Sequence, residues 1–153
     1  MSYYKGPIVR SNVRAAAAAI VGVATALALT TRLQANAPAG RFVAISGGVA
    51  VQDTVTGLVW QQPDNGMTYT WANAPTACAS PWRLPTVSEL DTLVDIRAST
   101  ATIDPIFTGT GSTFYWTSTP EAGNSTYAWY VSFNFGSVNT NSMGAAYRVR
   151  CVR

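Results

Sequence analysis

From Arg41 onward, glycine, proline, asparagine and aspartate cut the chain into apolar pieces of only a few residues, which limits it to short strands and helices of a turn or two. Residues 42–45 and 49–52 flank Gly47-Gly48 and are predicted to form a hairpin. In residues 54–61, Thr56-Gly57 turns the chain into a further strand through Leu58, Val59 and Trp60, and Pro63-Asp64-Asn65-Gly66 is a second strong turn. The run from Thr70 to Ala74 begins a short helix with Cys78 near its end, Pro75 being an awkward member of anything longer. Thr86-Val87-Ser88-Glu89 fits the S/T-x-x-E capping box, and Val87, Leu90, Leu93 and Val94 follow at helical spacing, predicting a helix that ends near Arg97. Ile103 and Phe107 bound a non-helical connection to the core, and residues 113–119 read as a strand rich in aromatic and β-branched side chains. The implied class is α+β, with two short helices packed on small antiparallel sheets.

The last third is the most informative. Trp129, Val131, Phe133 and Phe135 alternate with Tyr130, Ser132 and Asn134, the period-two pattern of a strand with one buried face. After a turn at Gly136, Ser137, Asn139 and Asn141 alternate with Val138, Thr140 and Ser142, and residues 147–152 close the domain with Arg148 and Arg150 set against Val149 and Cys151. The polar face predicted here makes Tyr127, Tyr130, Ser132, Asn134, Ser137, Asn139, Asn141 and Arg148 the candidate ligand-binding residues, with the loop from Glu121 to Thr126 beside them. Tyrosine, serine and asparagine on rigid strands make adaptable contacts, as in antibody paratopes. The other reading of the same residues is an ordinary solvated sheet face. Arg148, Arg150 and Arg153 fit a sulfate or carboxylate by bidentate contacts, or else pair with Asp53 or Asp104.

At 153 residues, 48% of them hydrophobic and 11% charged, the chain has apolar material for one packed domain and is unlike a disordered segment. It contains no histidine, which excludes Ser-His-Asp and Cys-His nucleophile systems and His-ligated zinc. The net charge of +3 is misleading as a whole. Lys5, Arg10, Arg14 and Arg32 precede Gly40 without an acid, whereas after it six arginines face seven acids, a net of −1. A near-neutral domain with cations clustered only at 148–153 argues against a nucleic-acid partner.

Residues 1–37 form a separate basic and apolar leader. Residues 15–29 are an uncharged apolar run behind Lys5, Arg10 and Arg14, as a secretory signal requires, and shorter than the ~20 residues that span a bilayer comfortably. Three readings stay open: a cleaved signal, an uncleaved N-terminal anchor, or an alanine-rich helix packing on the domain or in a homo-oligomer. Cys78 and Cys151 are the only cysteines, and an exported chain with an even count is expected to pair them, the other reading being two buried free thiols. No metal or cofactor is expected. Gln62-Pro63-Asp64 spells a lectin calcium triplet but reads as a turn without companion carboxylates, and Glu89, Asp91 and Asp95 read as helix capping and a solvated face. Asn124-Ser125-Thr126 is a glycosylation-type sequon in a turn, and four of the five tryptophans are expected to be buried.

Specific strings complete the reading: Thr56-Gly57-Leu58-Val59-Trp60-Gln61, Trp82-Arg83-Leu84-Pro85-Thr86 with Glu89-Leu90, Tyr115-Trp116-Thr117-Ser118-Thr119, Trp129-x-Val131-x-Phe133 with Gly136, and Val149-Arg150-Cys151-Val152-Arg153. In that order they resemble the Lcl C-terminal-like domain family of exported bacterial proteins, over about residues 41–153. The resemblance implies a C-type-lectin-like fold related to the formylglycine-generating sulfatase-modifying domain, and a role like that of the founding collagen-like adhesin, which binds sulfated polysaccharide and host surfaces. This chain departs from that adhesin in having no collagen repeat. The set Asn124, Ser125, Tyr127, Tyr130, Ser132, Asn134, Ser137, Asn139, Asn141 and Ser142 also resembles the variable positions of diversity-generating-retroelement proteins. The expected function is an exported, non-enzymatic recognition or adhesion module in the periplasm, at the cell surface or outside the cell. It would bind a glycan or protein ligand and touch the membrane only through its N-terminal segment. The alternative is a structural subunit assembled through that segment.

Overall fold

The computed structural model describes residues 38–98, 101–111 and 113–153. The leader, residues 1–37, lies outside the described residues, and so do the signal, anchor and helix readings made of it. Among the described residues no helix is long and apolar enough to cross a membrane.

The domain is mostly sheet. Strands β1 (Phe42–Ile45), β2 (Ala50–Asp53) and β3 (Val59–Gln61) form one antiparallel sheet in the order β1-β2-β3. Strands β4 (Phe114–Pro120), β5 (Tyr127–Ser132) and β6 (Ser137–Ser142) form a second antiparallel sheet in the order β4-β5-β6. The predicted hairpin at Gly47-Gly48 is present, with both glycines at positive φ. Gly136, in the β5–β6 turn, has φ +63 and a Cβ there would lie 2.7 Å from Ile96 Cγ2, so both backbone and space require glycine.

Of the two predicted helices, one forms as an α-helix and the other only as a turn. The 74–78 region is a 3₁₀ segment, Ala74–Ala77, with Pro75 early in it. Helix α1 is Val87–Asp91, and its capping box is complete: Glu89 N–H donates to Thr86 Oγ (3.2 Å) and Thr86 N–H to the Glu89 carboxylate (2.8 Å). It stops well short of Arg97. Leu93 and Val94 tighten into i→i+3 bonds, and the chain then pairs outward, with Val94 opposite Ile103 and Asp95 N–H donating to Thr102 O (2.9 Å). The apolar spacing that suggests more helix serves a bend that buries Leu90 and Leu93.

The two sheets are joined by residues 147–153. This closing segment runs antiparallel to β3 (Val59 N–H to Arg153 O and Arg153 N–H to Val59 O, both 2.9 Å). It also runs beside β4 in parallel sense, with Trp116 N–H donating to Arg148 O (2.9 Å) and Arg148 N–H to Phe114 O (3.0 Å). Further bonds tie Tyr147 to Tyr69 and Val152 to Arg83. Cys151 is disulfide-bonded to Cys78, 73 residues earlier, with Cα atoms 5.6 Å apart.

The closing segment extends the second sheet at its β4 edge, and both faces of that sheet are covered. Tyr115, Val131 and Phe133 enter a core with Val51, Trp60, Leu90, Leu93 and Val152, while Trp116 and Ala128 enter another with Ala74, Leu84, Val149 and Cys151. Only Trp60 and Trp116 of the five tryptophans are fully buried. Trp71, Trp82 and Trp129 are half-buried: the Trp71 indole N–H donates to Thr117 O (2.8 Å), and the Arg153 guanidinium covers Trp82 at 4.7 Å.

Two stability predictions follow from these contacts. Replacing both cysteines by serine removes a cross-link over a long loop and is expected to cost about 4 kcal/mol in urea unfolding; a loss well under 1 kcal/mol would show that the bond does not constrain the unfolded chain. Glu89 meets Arg83 in a two-pronged pair (2.7 and 2.8 Å), and that guanidinium, with the Thr86 N–H, holds its carboxyl down to about 2 against the opposing effect of burial. A depressed carboxyl stabilises the fold at higher pH, so stability should fall as pH drops from about 4.5 toward 2. Glu89→Gln should flatten the slope in that window, and an unchanged slope would refute the assignment.

Candidate functional site

Residues directly opposite one another across strands share a face of the sheet. The register Phe114–Ser132, Trp116–Tyr130, Ala128–Asn141, Tyr130–Asn139 and Ser132–Ser137 therefore collects these side chains on one side of β4-β5-β6. The closing segment lays Tyr147 onto the same side. The rings of Phe114 and Tyr130 are 5.1 Å apart, Tyr130 and Tyr147 5.0 Å, Phe114 and Tyr147 5.1 Å, and Trp116 and Tyr147 4.5 Å. Trp116 is sealed beneath and donates its indole N–H to Tyr69 O (2.9 Å), whereas Phe114, Tyr130, Tyr147 and Tyr69 are half-buried and form an aromatic floor. Burial, and then the neighbouring Tyr147 phenol, raise the Tyr130 hydroxyl above its ordinary pKa.

A rim of amides surrounds the floor. Asn141 donates from Nδ2 to the Tyr147 hydroxyl, and Asn65 does the same to Tyr69 (2.8 Å). Asn139 and Ser137 are exposed beside them. Strand β6 is the outer strand of its sheet, and Met143 N–H donating to Thr126 O (2.9 Å) sets the phase of its ladder so that Thr140 and Ser142 turn their N–H groups outward. Those donors are capped by the preceding side chains: Thr140 N–H meets Asn139 Oδ1 (2.8 Å) and Ser142 N–H meets Asn141 Oδ1 (2.7 Å).

The structure brings together five of the eight residues singled out from sequence: Tyr130, Ser132, Ser137, Asn139 and Asn141. Their exposure differs from the predicted polar face. Ser132 is 1% exposed and its hydroxyl accepts from Phe135 N–H (3.3 Å), and Tyr130 is packed among rings, because the face expected to meet water is half covered by the closing segment. Tyr127 is three residues from Tyr130 on β5 and lies on the opposite face, with Trp129. Asn134 is exposed in the turn after β5, and there Phe135 is 70% exposed rather than buried. Asn124 accepts from the Thr126 N–H (3.0 Å), making the sequon a turn.

Arg148 also has a different role from either sequence reading. It pairs with Asp64 (3.1 Å) and donates to Gly109 O (3.1 Å), while Asp53 pairs with Arg41 (2.8 Å) instead. The Gln62-Pro63-Asp64 triplet is a turn, and the aspartate's side chain, 2% exposed, is enclosed by Arg148, the Gly66 N–H (2.9 Å) and the Tyr115 hydroxyl. Burial first, then the bond to Asp64, push the Tyr115 phenol up to about 12. Arg150 is fully buried, donates to Gln61 O (2.7 Å) and to Thr110, and stacks over Phe107 at 5.2 Å. Among the described residues no cluster of three His, Cys, Asp or Glu could hold a metal ion. Sequence reasoning missed Phe114, Tyr147, Tyr69 and Asn65. Their signal is present in the aromatic strings, but only the closing segment's path joins them.

The family model of the Lcl C-terminal domain matches residues 49–153, a stretch that contains both sheets from β2 onward and the whole aromatic floor. The chain belongs to the Lcl C-terminal domain family. No curated protein matches it. The strings that carry the Lcl domain's likeness are its interior: Trp60, Leu90, Trp116, Val131 and Val152 are all fully buried. The rim of this Lcl domain, by contrast, is built from asparagines on β6 and in the 63–66 turn.

Asn139→Ala combined with Asn141→Ala uncovers two donors on the open edge of β6, and an uncapped edge invites strand pairing. The double variant should self-associate at lower concentration than the parent chain in sedimentation velocity. Identical sedimentation of the two would show that the caps do not guard the edge.

Proposed function

We propose that this chain is an exported recognition module with a C-type-lectin-like fold, which binds a glycan or protein ligand on the face formed by β5, β6 and the closing segment. The observation that carries this reading is the half-buried floor of Phe114, Tyr130 and Tyr147 with asparagines at its border. Rings that retain exposed surface, fixed by packing and edged by a few directional polar groups, are what a small recognition site needs. The side chains holding that floor are themselves anchored: Trp116 is immobilised beneath it, and Asn141 is fixed at both its amide atoms.

Support for binding rather than catalysis comes from how the ionisable groups are used. The chain has no histidine, and Asp53, Asp64 and Glu89 are each engaged by an arginine. The Cys78–Cys151 disulfide supports an oxidising, exported location, as do the basic and apolar residues of the leader. The C-type-lectin-like assignment is supported by the family resemblance together with two small sheets locked by a C-terminal segment and one disulfide.

A glycan array and a panel of extracellular proteins, probed with parent, Tyr130→Ala and Tyr127→Ala chains, test the reading. Binding should be lost in Tyr130→Ala and kept in Tyr127→Ala, whose side chain lies on the other face, with near-ultraviolet circular dichroism confirming that both variants are folded. Binding that survives Tyr130→Ala, or no binding by the parent chain, would refute it.

A further inference from the structure

Among the described residues, the rim of the aromatic floor has several hydrogen-bond donors with no partner, beside hydroxyls that can also accept. A main-chain N–H only donates, so it fixes which way an asparagine amide faces. Asn65 turns Oδ1 to Met67 N–H (3.0 Å), Asn139 to Thr140 N–H (2.8 Å) and Asn141 to Ser142 N–H (2.7 Å). All three side chains therefore present Nδ2 away from their own backbone. Asn65 and Asn141 donate from Nδ2 into the oxygens of Tyr69 and Tyr147, which directs each phenol proton elsewhere. Among the described residues nothing accepts from the hydroxyls of Tyr69, Tyr130 or Tyr147, nor from Nδ2 of Asn139.

This floor and rim carry no charge, and the guanidinium of Arg148 is turned to Asp64 and Gly109 O. An anionic ligand placed here would lose its hydration with no cation in exchange, a cost that donors alone offset poorly. A peptide strand has less purchase on the neighbouring edge, because the Thr140 and Ser142 N–H groups are already taken by side chains. What complements the surface is a neutral ligand with carbonyl acceptors and an apolar face that lies on half-exposed rings.

We infer that the floor takes a neutral glycan bearing N-acetyl groups, the acetamido carbonyls accepting from Asn139 Nδ2 and the tyrosine hydroxyls while the sugar's C–H face and methyl groups pack on Tyr130, Tyr147 and Phe114. This rests on the recognition reading above and specifies its ligand. Tyr130, Tyr147 and Asn139 are the residues that select the class.

The experiment titrates the disulfide-bonded full chain with chitotetraose, cellotetraose and heparin, followed by calorimetry and by the aromatic resonances of Tyr130 and Tyr147. Chitotetraose should bind about tenfold or more tighter than cellotetraose, which lacks the carbonyl. Its affinity should change by less than about twofold between about 50 and about 500 mM NaCl. Asn139→Asp keeps the cap on Thr140 but replaces the donor by an acceptor, and Tyr147→Phe deletes one hydroxyl; each should weaken binding about fivefold or more. Equal binding of cellotetraose, or a preference for heparin that collapses with salt, would overturn the N-acetyl assignment while leaving a recognition floor in place. If none of the three probes moves the Tyr130 and Tyr147 resonances of the folded chain, the N-acetyl assignment and a glycan-binding role for the floor both fail.

Discussion

The closing segment, residues 147–153, is the constraint on which the rest of the molecule depends. Two three-stranded sheets of this size cannot each bury a face alone, and the main chain of this segment bonds to β3, β4, Tyr69 and Arg83 in turn. Its side chains alternate between tasks. Tyr147 completes the aromatic floor, Val149 and Cys151 fill one core, Val152 fills the other, and Arg150 enters the interior as a charged pin. The disulfide secures the segment to a 3₁₀ turn distant in sequence, so the most heavily used part of the main chain is also covalently held.

Charge is handled in the same economical manner. Among the described residues Arg150 has no carboxylate in contact; carbonyl oxygens, the Thr110 hydroxyl and two aromatic faces solvate it. Such an arrangement works because a guanidinium is planar and weakly hydrated and can stack as well as donate. Asp64 gathers Tyr115 and Arg148 a short distance away, so the turn at residues 62–66, the β4 strand and the closing segment are linked by one carboxylate. The residues that look most like a calcium or sulfate site in sequence thereby tie three parts of the fold together, apart from the uncharged aromatic face.

Much of the scaffold was legible from residues alone. The capping box at Thr86 and Glu89, the Gly47-Gly48 hairpin, the strand at 114–120 and the pairing of Cys78 with Cys151 all express local chemistry or simple cysteine arithmetic. Period-two alternation also placed Val131 and Phe133 inside correctly. It failed for Phe135 because β5 ends at Ser132 and that residue lies in the following turn, and for Ser132 and Tyr130 for a different reason. Alternation reports which residues share a face but not what lies against that face, and here the closing segment covers the side that should have been wet. The helix from Thr86 was overextended because Leu93 and Val94 have helical spacing, yet the pairing of Val94 with Ile103 draws the chain away.

By itself, then, the sequence determined the family, the short-strand architecture and the absence of imidazole chemistry, since these depend on residue type and near neighbours. Tertiary structure alone decided that Tyr130 stands with Phe114 and Tyr147 rather than with Tyr127, that Arg148 belongs to Asp64, and that the asparagines of β6 turn their oxygens to its edge. The first two outcomes depend on where the last seven residues run beside the second sheet, a path set by bonds spanning most of the chain, and the third on the phase of the β5–β6 ladder that Met143 and Thr126 set.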